Sequence, residues 1–225
     1  LLNHTSGIKD YYGSPIDYAR YFLGEKTPYE IMSRLEDTPL LFEPGTDYMY
    51  SNTNYMILTQ LIEQVSDMSY KEYIDKTIID PLKLIDTGYE ENMGLISNIA
   101  RGYCINMIVE INGMNLSNFQ GAGGLYSSSL DLYKFWKNIN KDNLINKKSK
   151  AKIRNDYYYG YGMAYKEDVD DIGDIYFHTG SVPGFHSAVY DLSDKDVIIV
   201  ILSNNQIAPT EDIMRSLYEV MMDVW

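Results

Sequence analysis

Two apolar runs near the end of the chain, residues 187–192 and 197–202, are separated by only Ser193-Asp194-Lys195-Asp196. A gap that short folds straight back, so the pair predicts an antiparallel hairpin. Two more strand candidates precede it, at 161–165 and 175–178. Residues 210–225 follow as an amphipathic helix. Its N-cap is read as Thr210, with Glu211 and Asp212 in the first turn, where acids favour the positive end of the helix dipole. The last part of the chain is therefore expected to be an antiparallel sheet with one face covered by a helix.

The first part reads as helical. Residues 28–35 form a short helix, and Phe42-Glu43-Pro44-Gly45 form a turn set by Pro and Gly. Residues 54–66 carry Met56, Ile57 and Leu61 at helical spacing, which places the apolar members on one stripe. Residues 69–79 have Ser69 as N-cap and Glu72 three residues on, a capping-box pattern, and Asp80-Pro81 ends them. Residues 129–138 place Leu130, Tyr133 and Trp136 on one helix face. The stretch 88–119 is ambiguous, with the alternation Met107-Ile108-Val109 and a turn signal at Asn112-Gly113. Helices, then strands, then a helix imply the α+β class. At ~150 residues per domain, 225 residues make one large domain. Within it, 1–120 is expected to be mainly helical and 121–225 to be sheet and helix.

Composition bounds the chemistry. Hydrophobic residues make up 45% and charged residues 23%, as in a globular protein with a core. The net charge of -13 repels phosphate backbones, so no nucleic-acid partner is expected. Cys104 is the single cysteine, which leaves no internal disulfide framework and no Cys-rich metal site. None of the three histidines forms an i, i+4 pair, so no metal and no organic cofactor is expected. The longest apolar stretch, 197–202, has strand length, far below the ~18 residues of a membrane span. The tyrosines of Tyr157-Tyr158-Tyr159 and Tyr161 fit a cleft lining and core packing equally well.

Five segments occur in a telling order. They are Leu1-Leu2-Asn3-His4-Thr5-Ser6-Gly7-Ile8, Glu43-Pro44-Gly45-Thr46, Tyr50-Ser51-Asn52-Thr53-Asn54-Tyr55, Ala122-Gly123-Gly124-Leu125-Tyr126-Ser127 and the run from His178-Thr179-Gly180-Ser181 to Phe185. Together they resemble the class C β-lactamase, DD-peptidase and esterase superfamily, across nearly the whole chain. The resemblance implies a β-lactamase/transpeptidase-like fold, an antiparallel sheet flanked by helices with an inserted helical subdomain. It also implies a serine hydrolase working through an acyl-enzyme on a β-lactam, D-amino-acid peptide, amide or ester. Tyr50 resembles the proton-shuttling tyrosine, and Asn52 the asparagine that bonds the catalytic lysine and the substrate amide. His178-Thr179-Gly180 resembles the Lys-Thr-Gly motif with His in place of Lys, a change that weakens the fixed positive charge. Thr179, Gly180 and Ser181 then correspond to the substrate-binding wall, with the Ser181 N–H as an oxyanion donor.

One motif is missing. The sole Ser-x-x-Lys hit, Ser6-Gly7-Ile8-Lys9, contains a helix-breaking glycine and falls inside another segment of the resemblance. The nucleophile helix and the N-terminal strands are therefore expected upstream of Leu1. The expected partners are an acyl substrate, with the missing N-terminal segment or a second copy covering an open sheet edge and an uncovered apolar face. The 225 residues alone are expected to be inactive, and a non-catalytic relative of the same fold is the alternative.

Overall fold

A computed structural model of the chain describes residues 1–11, 27–89, 93–104, 116–154 and 159–224. The alternation at 107–109, the turn at 112–113, and Tyr157 and Tyr158 lie outside them. The chain forms two compact units. One comprises Leu1–Ile99 with Asn112–Ser127, the other Ala100–Ile111 with Ser128–Trp225.

The first unit is helical. Helix α1, Pro28–Ser33, starts at Thr27 with a full capping box to Glu30 and Pro28 at its first position. Its Ile31 is buried with Tyr11 and Met56. Helix α2 runs Asn52–Ser66, two residues earlier than the periodicity predicts. The reason is distant in sequence: Ser51 makes no side-chain cap, and the Asp10 carboxylate accepts the Asn52 N–H at 3.1 Å instead. The expected apolar stripe is also corrected. Leu61 is exposed, and the buried residues of α2 are Thr53, Asn54, Met56 and Thr59. Residues 1–11 hydrogen-bond along this face: Tyr11 N–H donates to Thr53 Oγ1, and Thr53 Oγ1 donates to the Lys9 carbonyl.

Helix α3, Tyr70–Ile74, has the expected Ser69–Glu72 capping box. It does not stop at Asp80-Pro81. A π turn, Asp75–Ile79, leads into one more turn, Asp80–Leu82, closed by Lys83 at φ 52°. The wider π turn shifts the carbonyl that the Pro81 ring would otherwise meet. Strands β1, Gly88–Tyr89, and β2, Leu125–Tyr126, form a short antiparallel pair.

The second unit holds a four-stranded antiparallel sheet in sequence order. Its strands are β3 (Ala164–Val169), β4 (Gly173–Val182), β5 (Phe185–Leu192) and β6 (Val197–Ser203). The predicted hairpin is β5–β6, with Leu192 opposite Val197. Two strand expectations shift. The first strand starts at Ala164 rather than 161, and β4 continues four residues past His178, so His-Thr-Gly lies within the strand.

Both faces of this sheet are covered, so the expectation of an uncovered face is overturned. Helix α6, Thr210–Val224, packs Met214 and Tyr218 against Ile175, Tyr190, Ile199 and Ile201. Helix α4, Ser129–Asn140, packs Trp136 and Ile139 with Val189, Ile198 and Val200. The predicted face of α4 is corrected as well. Leu130 and Tyr133 are exposed, and the packed stripe is Leu132, Phe135, Trp136 and Ile139. That set keeps the i, i+3, i+4, i+7 spacing of a buried stripe. Helix α5, Lys147–Ile153, is followed by Arg154, which pairs with the fully buried Asp191 of β5. Asn140 joins them, accepting from Arg154 Nη2 at 2.7 Å.

Candidate functional site

In the first unit, Tyr50-Ser51-Asn52 forms the entry to α2. Ser51 is extended, φ -148° and ψ 118°, and its N–H donates to His4 Nδ1 at 3.1 Å. His4 is fully buried at φ 57°, with its carbonyl accepting the Met49 N–H. Its ring lies 4.1 Å from the Tyr50 ring and 5.2 Å from Tyr55, with Tyr48 edge-on at 6.2 Å. A buried ring among three tyrosines fixes the height and tilt of Tyr50. The buried His4 is thus the seat of Tyr50.

Asn52 Nδ2 donates to Asp10 Oδ2 at 2.9 Å, alongside the backbone bond. That donation sets the amide orientation and leaves Oδ1 as the acceptor for an ammonium or a substrate N–H. Tyr50 is 42% exposed. Its phenol is held above the ordinary range by partial burial, then by the Asp10 carboxylate and Tyr48. These neighbours favour the protonated phenol, so a shuttle role needs an added cation.

Ser6 and Lys9 do not share a helical turn. Ser6 Oγ donates to Asn54 Oδ1 at 2.6 Å and accepts the Ile8 N–H. A side chain at Gly7 would meet the Phe42 carbonyl at 2.3 Å.

In the second unit, β3 begins at Ala164, opposite Phe177. Residues 178–182 therefore pair with β5 alone among the described residues. Thr179 and Ser181 are exposed. Gly180 faces Ser187 across the ladder, and a Cβ on Gly180 would lie 2.6 Å from Ser187 Oγ. Its bareness thus serves a protein neighbour.

His178 Nε2 lies 2.9 Å from Tyr159 Oη. Burial pushes its imidazole below the usual histidine range, and the Thr179 backbone opposes that only in part. That shift disfavours the charged ring, so His178 is a poorer cation than the lysine of a Lys-Thr-Gly motif. Asp10 and Ser187 thus join the residues read from the sequence, and His4 and Tyr159, quoted there without a site role, acquire one. Asp10 and Ser187 carry no local signal, because each contacts its partner only once the chain has folded.

An antiparallel sheet between two helices, a Tyr-Ser-Asn helix entry and a His-Thr-Gly strand edge define a β-lactamase/transpeptidase-like protein. The Beta-lactamase family model matches residues 1–219, and the chain belongs to that family. It is 28% identical to penicillin-binding protein 4* of Bacillus subtilis (strain 168), over 92% of this chain and 51% of that protein. It is 26% identical to the teichoic acid D-alanine hydrolase of Staphylococcus aureus, over 97% of this chain and 53% of that protein. The chain spans about half the length of these relatives. Among solved structures, a D-stereospecific amidohydrolase from Streptomyces sp. matches in fold with TM-score 0.80 and 24% identity, over 91% of this chain and 66% of that one.

Proposed function

We propose that this chain carries the Tyr-x-Asn and His-Thr-Gly portions of a class C β-lactamase-like serine hydrolase that cleaves amides or esters of D-amino acids through an acyl-enzyme. The observation that carries the reading is the edge at 178–182, where β3 has ended, no other described strand pairs, and Thr179 and Ser181 are exposed. A strand edge of this kind takes an extended substrate by backbone hydrogen bonds. The Ser181 N–H is assigned as an oxyanion donor, with Thr179 and Gly180 lining the wall. His178 acts on that wall without serving as a fixed cation. Tyr50 is the proton carrier, and Asn52 Oδ1 receives the ammonium or amide N–H.

The substrate class follows from charge. A free carboxylate beside the scissile bond needs a fixed cation, and the partly buried His178 ring, bonded to Tyr159, is a poor one. The relative named as a teichoic acid D-alanine hydrolase supports a D-alanyl acyl group. The nucleophile is assigned to a Ser-x-x-Lys outside these 225 residues, because Ser6 is non-helical and bonded to Asn54. The same observation favours a second reading, a binding relative without chemistry.

A fluorescent penicillin or fluorophosphonate probe tests the nucleophile. The 225-residue chain is expected to show no covalent adduct, and an adduct on Ser6 overturns the assignment. A longer form bearing Ser-x-x-Lys is expected to label and to hydrolyse a D-alanyl ester faster than a D-alanyl-D-alanine peptide. A form with that motif that binds the ester without cleaving it favours the second reading.

A further inference from the structure

We infer that Tyr159 is the positioning residue of the His-Thr-Gly edge: its hydroxyl donates to His178 Nε2 and locks the ring as the Nδ1–H tautomer, turned toward the protein. The inference deepens the reading of β4 as the substrate wall and rests on it.

Tyr159 is well placed for this. It is buried, 6% exposed, and pairs with Ala164, the residue at which β3 begins. The Gly160 N–H donates to the Met163 carbonyl at 2.8 Å, closing a tight turn that brings Tyr159 back beside the strand. Its ring meets the His178 ring edge-on, with centroids 6.0 Å apart at 73°. A Tyr hydroxyl held in this way has little rotational freedom to lose, so the bond to Nε2 is preorganised.

The direction of that bond follows from the two groups it joins. A phenol O–H is a better donor than the N–H of a neutral imidazole, and a bare imidazole nitrogen is a better acceptor than a phenol oxygen. At 2.9 Å the Tyr159 hydroxyl therefore donates to Nε2. A neutral imidazole carries one N–H, which then sits on Nδ1.

Nε2 is then engaged within the protein. His178 neither anchors a carboxylate nor carries the reaction's proton. Its work is to tie the strand to Tyr159 at the residue that leads into Thr179, Gly180 and Ser181. Tyr159 sets the wall through His178, without touching substrate.

Ring-nitrogen NMR of the 15N-labelled 225-residue chain tests this, with three histidines to assign and His4 and His186 as internal references. In the wild type, His178 is expected to show a pyrrole-like Nδ1 and a pyridine-like Nε2. In Y159F, which keeps the ring and removes only the hydroxyl, His178 is expected to relax to a tautomer mixture while His4 and His186 keep their signals. A pyrrole-like Nε2 in the wild type overturns the inference, as does an unchanged His178 in a folded Y159F. The wild-type measurement stands even if Y159F fails to fold. No acyl chemistry enters the readout, so a protein inert toward penicillins and esters would sink the proposed function and leave the tautomer result intact. A pyrrole-like Nε2 would sink this inference alone.

Discussion

At the start of α2, Asn52 is held by Asp10, 42 residues away, and Ser51 by His4, 47 residues away. On the outer half of β4, residues 178–182 are held by regular backbone register to β5. The cores behind them differ in the same way. The buried face of α2 is mostly polar, with Thr53, Asn54 and Thr59 around Met56, whereas the sheet lies between apolar layers containing Ile175, Ile199 and Ile201. A helix entry built from hydrogen bonds is specific and sensitive to the loss of one partner. A strand built on an apolar sandwich spreads its stability over many contacts.

One exception sharpens the contrast. Asp191 lies in the apolar part of β5 and is fully buried, with Arg154 as its cation. R154A leaves that carboxylate without its counter-charge, at a cost of about 3–5 kcal/mol. We expect this to be the largest single loss in the molecule, read as a shift of the urea midpoint at constant slope. A loss under 1 kcal/mol would show that the sheet unit tolerates polar damage as a spread-out core does, and would erase the contrast.

The first unit is expected to lose stability at high pH. Burial raises the Tyr70 phenol to about 12, and its ring packs edge-on against Tyr89. Between pH 10 and 12 the unfolded chain ionises this tyrosine while the folded one keeps its proton. Stability is therefore full below pH 10 and is lost as pH rises through 12. The loss is about 2–3 kcal/mol for a shift of that size. Denaturant midpoints from pH 9 to 12 check it, and Y70F should reduce the slope. An equal slope in Y70F assigns the loss elsewhere.

Much of this architecture is legible in the sequence, and the boundary follows physical range. Ser69 and Glu72 are three residues apart, so their capping box needs no tertiary context, and the four residues between β5 and β6 set a turn by their number. The Tyr-Ser-Asn and His-Thr-Gly segments are found as strings. What they do is fixed elsewhere. The Asp10 cap moves the start of α2, and the Tyr159 bond settles which way His178 faces. The face of α4 is misread because Leu130 and Tyr133 share helical spacing with Trp136, and only the packed sheet shows that Leu132 and Phe135 belong to the buried side. The helical continuation through Pro81 depends on a π turn that no residue type announces.

Asp10 is the next test of the α2 entry. D10A removes the acceptor of both the Asn52 N–H and its Nδ2, at an expected cost of about 1–2 kcal/mol, the range of a lost helix cap. It also removes a negative neighbour from Tyr50, so the Tyr50 phenol should titrate lower in D10A than in the wild type. Ultraviolet titration against Y50F isolates that group. An unmoved Tyr50 would mean that burial alone sets its proton affinity, and the entry would then be less dependent on its distant partner than the geometry implies.

Gly180 tests the other region at its tightest point. A Cβ there lies 2.6 Å from Ser187 Oγ, too close for either atom to stay. The obstacle is one hydroxyl on a short side chain, and a change of rotamer moves it. G180A is therefore expected to cost only about 1 kcal/mol, the low end of overpacking. Because the two residues pair directly across β4 and β5, the cost should be non-additive. S187G in the G180A background removes the clash, and the double variant should recover most of the loss when the cycle is completed with S187G alone. Additive costs would place the strain in the backbone, and the register to β5 would then restrict residues 178–182 by itself, without help from what stands opposite Gly180.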